Sequence, residues 1–128
     1  MALSRLAQEF ADEIRNHDWS DAPFRFDRAG HSRATDTNKG EEVLTAAQTV
    51  SVKENVWAVV TQVLLHRDPN LDIYEFAEAC GLDTRTRSGH RDGSFEAAIR
   101  FHLNEKRPLP PGKTWRDLIA DDEQQEGA

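Results

Sequence analysis

The side chains best able to ligate a metal or move a proton are five histidines, His17, His31, His66, His90 and His102, and one cysteine, Cys80. The histidines fall in five different stretches, and none stands at ligand spacing from another His or from Cys80. A metal site therefore requires tertiary convergence, and none is expected. A lone cysteine excludes an intramolecular disulfide and a multi-cysteine zinc site. Cys80 also falls on the apolar side of its segment, which suits a small buried hydrophobe better than a nucleophile. Asp18 and Asp21 flank Trp19 and form a candidate carboxylate pair, but acids at the end of a helix are commonly solvated. Gly89, Gly93 and Gly112 stand singly, without the spacing that cradles phosphate. No acid, base and nucleophile converge, so the chain reads as non-enzymatic, without catalytic residues, cofactor or metal.

Charge is the stronger signal. The net charge of −7 divides into −7 over residues 1–83, +5 over 84–116 and −5 over 117–128. An acidic chain repels a phosphate backbone at long range, which argues against loose nucleic-acid binding. The basic block still offers a local contact surface through Arg85, Arg87, Arg91, Arg100, Lys106, Arg107 and Lys113, with Phe101 beside Arg100. Aromatic and arginine side chains are enriched at the centres of protein interfaces. The expected function is contact with a protein partner through this surface. Two bland alternatives stand beside it: a merely solvated basic face, and a Phe101 covered by the last helix. The acidic end could fold over the block and be displaced by an acidic partner; a chain cut after Arg116 would bind differently in that case.

A DNA-binding alternative rests on Ala77 and Gly81, four residues apart, as in the first helix and turn of a helix-turn-helix. A winged-helix version reads 83–93 as a long turn, Ser94–Leu103 as the reading helix and Lys106–Trp115 as the wing, with Arg100, Lys106, Arg107 and Lys113 toward phosphate. The reading helix offers no Asn or Gln for adenine.

These residues must be positioned by a mainly α fold. The expectation is a compact bundle of five to six short helices with an aromatic arm or hairpin near 22–35, one domain over 1–120 and a disordered acidic tail over 121–128. Ser4 caps a first helix running to about His17, with Leu3, Leu6, Phe10 and Ile14 inward and Trp19 folding back. Phe24 and Phe26 alternate with polar residues and are expected to pack on the core from a short strand or arm. A loop covers 31–40, and a short helix over 41–48 turns Val43, Leu44 and Ala47 inward. Ser51 to Glu54 matches a capping box ahead of a central helix, where Val52, Val56, Val59, Val60 and Val63 form one stripe and Trp57, Leu64 and Leu65 widen the apolar surface nearly all round, as for a helix buried at the centre of the domain. Its β-branched content leaves a strand over 56–65 as the alternative. Asp72 opens the next helix, with Ile73, Phe76, Ala77 and Cys80 on one side and Gly81 as its left-handed cap. Residues 83–93 hold no apolar side chain and read as the most mobile loop. Ser94 caps a helix with Phe95, Ala98, Ile99, His102 and Leu103 inward. Thr114 to Asp117 caps a last helix that docks through Trp115, Leu118 and Ile119.

Leu, Ile, Val and Phe number 27 of 128 residues, close to the level of roughly 20% below which chains tend to be disordered. No stretch approaches the roughly 20 apolar residues of a membrane span. Glu9, Asp12 and Glu13 oppose a signal peptide, so a cytoplasmic protein is expected.

The first helix with Trp19 and the arm from Phe24 to Gly30, together with Ile99, Phe101, Asn104, the stretch Pro111 to Thr114, Leu118 and Ile119, resembles a family of small uncharacterised actinobacterial domains of unknown function. The family pattern has Asp at Glu105, Arg at Lys113 and a central-helix Cys where Val56 or Trp57 stands. The resemblance covers about a third of the chain and implies a small helical domain with an arm, without an assigned activity. Ser88 to Arg91 and the candidate wing also give a looser likeness to phage winged-helix proteins.

Overall fold

A computed structural model describes residues 3–37, 40–103 and 105–119. The fold is mainly α: α1 (Arg5–Asn16), α2 (Ala46–Arg67), α3 (Ile73–Ala79), α4 (Ser94–Ala97) and α5 (115–119), with no strand among the described residues. The acidic tail and Asn104 lie outside those residues. No described helix is long and apolar enough to cross a membrane.

Local capping chemistry sets several boundaries. Ser4 Oγ accepts from the Ala7 amide at 3.1 Å and starts α1, which stops before His17. Asp72 Oδ1 accepts from the amides of Tyr74 and Glu75, and Gly81 follows α3 at φ 88°. Thr114 and Asp117 exchange backbone-to-side-chain bonds at the start of α5. The central helix begins earlier than Ser51. Thr45 and Gln48 form the capping box, at 3.0 and 3.1 Å, and the helix formers Ala46 and Ala47 carry the helix on through Ser51, whose hydroxyl bonds back to the Ala47 carbonyl. The short helix over 41–48 is thereby absorbed into α2; Val43 and Ala47 are exposed and Leu44 is half-buried. Residues 56–65 are helical, not a strand.

The inward faces differ from the stripe of large apolar residues. In α1 the buried residues are Ala7, Ala11 and Ile14, with Leu3 half-buried, while Leu6 and Phe10 are exposed. Alanines let α1 lie closely against α3 and α2. In α2, Trp57, Thr61, Leu64 and Leu65 turn inward at helical spacing, whereas Val59 is 71% exposed and Val63 is also exposed. Trp57 meets Phe95 edge to face at 5.1 Å. Phe76, Ala77 and Cys80 close the core from α3 as expected. Trp19 folds back, its indole N–H donating to the Ile14 carbonyl at 2.9 Å. Phe24 and Phe26 do not pack on the core: both are exposed, because a 3-10 turn at Ala22–Phe24 replaces the expected strand.

The helix expected over 94–103 ends at Ala97, and a buried amide explains why. Gln62 Oε1 accepts from the Arg100 amide at 2.8 Å, so that N–H does not continue a helical ladder. Gln62 Nε2 donates to the carbonyls of Arg100 (3.0 Å) and Leu109 (3.1 Å). The chain then turns into a hairpin closed by an antiparallel bridge between Phe101 and Pro108. Ala98 and Leu103 are exposed as a result, and His102 is half-buried. The polar segment 83–93 also closes on itself: Arg85 bridges Arg91, the Thr86 amide donates to the His90 carbonyl at 2.7 Å, and Gly89 supplies φ 82° at the turn.

Replacing Gln62 with Ala leaves buried backbone groups of residues 100 and 109 unpaired, each a loss of about 1–3 kcal/mol. The expected destabilisation is about 2–4 kcal/mol in urea unfolding. Val59→Ser, on the exposed side of the same helix, is expected to stay within about 0.5 kcal/mol. The reverse order of the two effects contradicts this orientation of α2.

Candidate functional site

Two places bring chemistry-bearing side chains together. The first lies in the irregular segment after α1, built by local hydrogen bonds. Asp18 accepts from the Ser20 amide (3.0 Å), the Ser20 hydroxyl (2.6 Å) and the Arg33 amide (3.2 Å), while its own amide donates to the His31 carbonyl at 2.9 Å. The Phe24 amide donates to the Asp21 carbonyl, and Gly30 turns the chain at φ 83° back toward α1. These bonds bury His31 and Asp21 completely.

His31 sits among three carboxylates. Its Nδ1 lies 2.5 Å from Asp36 Oδ2, and its Nε2 lies 3.1 and 3.2 Å from the two oxygens of Asp21 and 3.5 Å from Asp27 Oδ2. Arginines hold the far sides: Arg33 to Asp21 Oδ2 at 3.0 Å, Arg25 to Asp27 Oδ1 at 2.5 Å and Arg28 to Asp36 Oδ1 at 3.6 Å. Asp21, Asp27 and Asp36 thus each meet one arginine and one nitrogen of His31. Both ring nitrogens are engaged and the ring is 1% exposed, so neither is presented to solvent. Asp18 and Asp21 are not the solvated helix-end acids expected; the first is half-buried and the second wholly buried.

The electrostatics follow from this packing. Burial opposes the charge on His31, but hydrogen bonds to Asp36 and Asp21 and the charges of Asp21 and Asp27 outweigh it, and its pKa rises above the ordinary value. Burial pushes Asp21 upward, yet hydrogen bonds from Arg33 and His31 hold it below the usual carboxylate range. The His31 hydrogen bond, then the Ser32 amide, lowers Asp36. Cys80 behaves as a buried hydrophobe: burial pushes its thiol up to about 12.

The second place is a groove of about 1050 Å³ between the end of α2, the start of α3, α4 and the 101–108 hairpin. Leu65, Leu71, Ile73, Phe101 and Pro108 give it apolar walls, and His66, His102, Lys106 and Arg107 stand with Glu96 and Glu105 around it. Phe101, Lys106 and Arg107 of the basic block therefore share one concave surface. Phe101 is half-buried, and the Trp115 indole N–H donates to its carbonyl at 2.6 Å. Leu118 is half-buried, but Trp115 and Ile119 remain exposed, so α5 docks less fully than expected.

The other basic residues lie elsewhere. Arg100 donates from Nε to the Lys113 carbonyl at 2.9 Å, which ties those two together. Arg91 stacks over the Tyr74 ring at 4.2 Å. Arg85 and Arg87 are exposed on the 83–93 hairpin.

Comparison with protein-family models, curated proteins and solved structures gives no match for this chain.

Spacing between histidines and cysteines does not reveal the His31 cluster; its signal in the sequence is the interleaving of Asp18, Asp21, Asp27 and Asp36 with Arg25, Arg28 and Arg33 around one histidine.

The raised pKa of His31 gives stability that is complete below about pH 6.5 and is lost as pH rises through the folded-state value. The lowered values of Asp21 and Asp36 give stability that is present above about pH 3.9 and is lost as pH falls through theirs. In chelator-treated buffer, the urea midpoint is expected to peak between these limits and decline from about pH 6.5 to 8.5, below the range where Cys80 adds its own loss. His31→Gln should remove that decline. A wild-type midpoint that is flat or rises over the interval rejects this account.

Proposed function

We propose that the protein is a small non-enzymatic binding module that receives a segment of a partner protein in the groove beside the 101–108 hairpin. The observation that carries this reading is the groove itself. It is apolar at its walls and polar at its rim. At about 1050 Å³ it sits at the upper end of the range of roughly 300–1,000 Å³ for small-molecule pockets. An extended peptide with aliphatic anchors suits such a surface, the anchors against Phe101, Leu71 and Ile73 and a carboxylate toward Lys106. Glu105 already pairs with Arg107 at 3.2 Å, so Lys106 is the rim cation without an ion pair among the described residues.

The occupant is a protein rather than duplex DNA because the reading helix required by the winged-helix alternative is missing. A helix of four residues, Ser94–Ala97, is about 6 Å long. Arg100, Lys106, Arg107 and Lys113 are then loop residues, placed by Gln62 and the hairpin. On this reading the acidic end acts as an intramolecular competitor for the same basic surface. A cut after Arg116 would sever α5 and its Asp117 cap, so a chain ending after Ile119 tests that competition more cleanly.

Peptides selected from a displayed random library, labelled and followed by fluorescence anisotropy, test the reading. Acidic peptides with aliphatic anchors should emerge. Lys106→Glu, an exposed change, and Phe101→Ala should each weaken them by about tenfold or more. Selected peptides that bind both variants as tightly as wild type would place the contact elsewhere. Labelled random duplex DNA at roughly 50 and 200 mM salt completes the test, because phosphate-driven binding falls about 0.9 in log–log slope per phosphate neutralised. Steep salt-sensitive DNA binding would replace the protein partner with nucleic acid.

A further inference from the structure

We propose that Asp21, Asp27 and His31 form a site for a divalent transition-metal ion, with zinc as its representative and Asp36 as the residue that orients the histidine. The site is separate from the groove and lies on the side of His31 facing away from Asp36. One ligand atom from each of Asp21, Asp27 and His31 lies within 4.8 Å of the other two. Nε2 is 3.1 Å from Asp21 Oδ1 and 3.5 Å from Asp27 Oδ2. Tetrahedral ligands at about 2.0–2.1 Å from zinc stand about 3.3–3.4 Å from one another, so these separations bracket a zinc edge.

The atoms left over are committed in the manner of an outer coordination shell. Arg33 holds Asp21 Oδ2 and Arg25 holds Asp27 Oδ1, which leaves Asp21 Oδ1 and Asp27 Oδ2 toward Nε2. Asp36 takes Nδ1 at 2.5 Å, the carboxylate–histidine arrangement that fixes tautomer and ring orientation at metal centres. Asp21 and Asp27 thus each turn one oxygen toward Nε2 while the other is held from behind, and a metal ion takes the place of the proton that Nε2 shares with Asp21.

A separate observation asks for a cation at this point. Asp21 is wholly buried, and its Oδ1 accepts no hydrogen bond from any described residue. A buried carboxylate oxygen without a donor is costly, and a metal ion satisfies it directly. Of the three, Asp27 also lines a cavity of about 360 Å³, with His17, Trp19, Arg25 and Phe26. Three protein ligands leave a fourth coordination position, the pattern of zinc sites that are not closed structural knots. An imidazole with two carboxylates suits zinc among the first-row ions, whereas Mg²⁺ and Ca²⁺ take all-oxygen sets.

The full chain, stripped with chelator, should be titrated with zinc chloride by calorimetry and with cobalt(II) by visible absorption. One equivalent should bind and raise the melting temperature, and cobalt should give the absorption of a four-coordinate ion. His31→Gln and Asp21→Asn should abolish binding, and Asp36→Asn should weaken it about 10–100-fold. The double variant His66→Gln/His102→Gln, at the groove, should bind as wild type does. Histidine-ring nitrogen NMR of the wild-type chain provides the test that needs no variant: zinc should move the His31 Nε2 resonance to a metal-bound position. Absence of zinc binding in large molar excess overturns the proposal and leaves His31 a buried ring held by carboxylates alone. Zinc binding that is unchanged in His31→Gln, or that leaves the His31 resonances in place, overturns it equally.

Discussion

The Gln62 amide is the point on which the second half of the chain turns. It projects from α2 toward the 98–110 segment and takes up three backbone groups 38 and 47 residues away. By capturing the Arg100 amide it stops α4 after four residues. By binding the carbonyls of both Arg100 and Leu109 it holds the two ends of the hairpin at one spacing. The Arg100 carbonyl also accepts from the Leu109 amide at 2.8 Å, so the clamp and the hairpin reinforce each other. Phe101, Lys106 and Pro108 owe their common surface to this arrangement, and Leu109 is wholly buried because of it. A neutral amide serves here because it donates and accepts at once, without the desolvation cost of a charge.

The first half of the chain uses charge for the same task. Between α1 and α2 few apolar side chains reach the core, and Phe24 and Phe26 turn outward. Asp18, Asp21, Asp27 and Asp36 gather round His31 instead, and Arg25, Arg28 and Arg33 close the shell. Removing one member strands its partners in a region shielded from water, which makes such a network demanding of its full membership. A chain with so few aliphatic residues can order long non-helical segments only by burying polar groups that find partners. Asp21, His31, Gln62 and Thr84 are all buried, and each fastens a segment outside the helices: Thr84 donates to Glu78 at 2.7 Å at the root of the 83–93 hairpin.

Features governed by neighbouring residues were legible in the sequence. The caps at Ser4, Asp72 and Thr114, the left-handed Gly81, the apolar side of α3 and the fold-back of Trp19 follow from contacts within a few positions, and the helical class follows from them. Features governed by distant partners were not. The inward side of α1 is an alanine stripe because α3 approaches closely, so the larger Leu6 and Phe10 misdirect a reading based on size. In α2 the valines recur at helical spacing, but Trp57, Leu64 and Leu65 carry more area to bury and win the core face. Ser51 to Glu54 and Thr45 to Gln48 satisfy the same capping rule, and only the continuation of the helix backward through Ala46 and Ala47 separates them. The shortness of α4 depends on Gln62, which nothing near residue 98 announces.

The same contrast explains why the basic residues did not resolve into one site. Counting charge over 84–116 treats a stretch of chain as a surface, yet that stretch contains two hairpins separated by α4. Arg85 and Arg91 face each other across the first, where Arg91 is occupied by the Tyr74 ring. Lys106 and Arg107 lie on the second, beside apolar walls supplied by α2 and α3. The second hairpin has a groove next to its charge, so chemistry that is evenly spread in sequence is concentrated in space. The His31 cluster reverses that relation. Its residues lie close together in sequence, between Asp18 and Asp36, but spacing between histidines and cysteines does not reveal them, because this histidine takes carboxylates. In both places the decisive quantity is which donors and acceptors a buried side chain can still reach, and the helices act by setting the distances at which it reaches them.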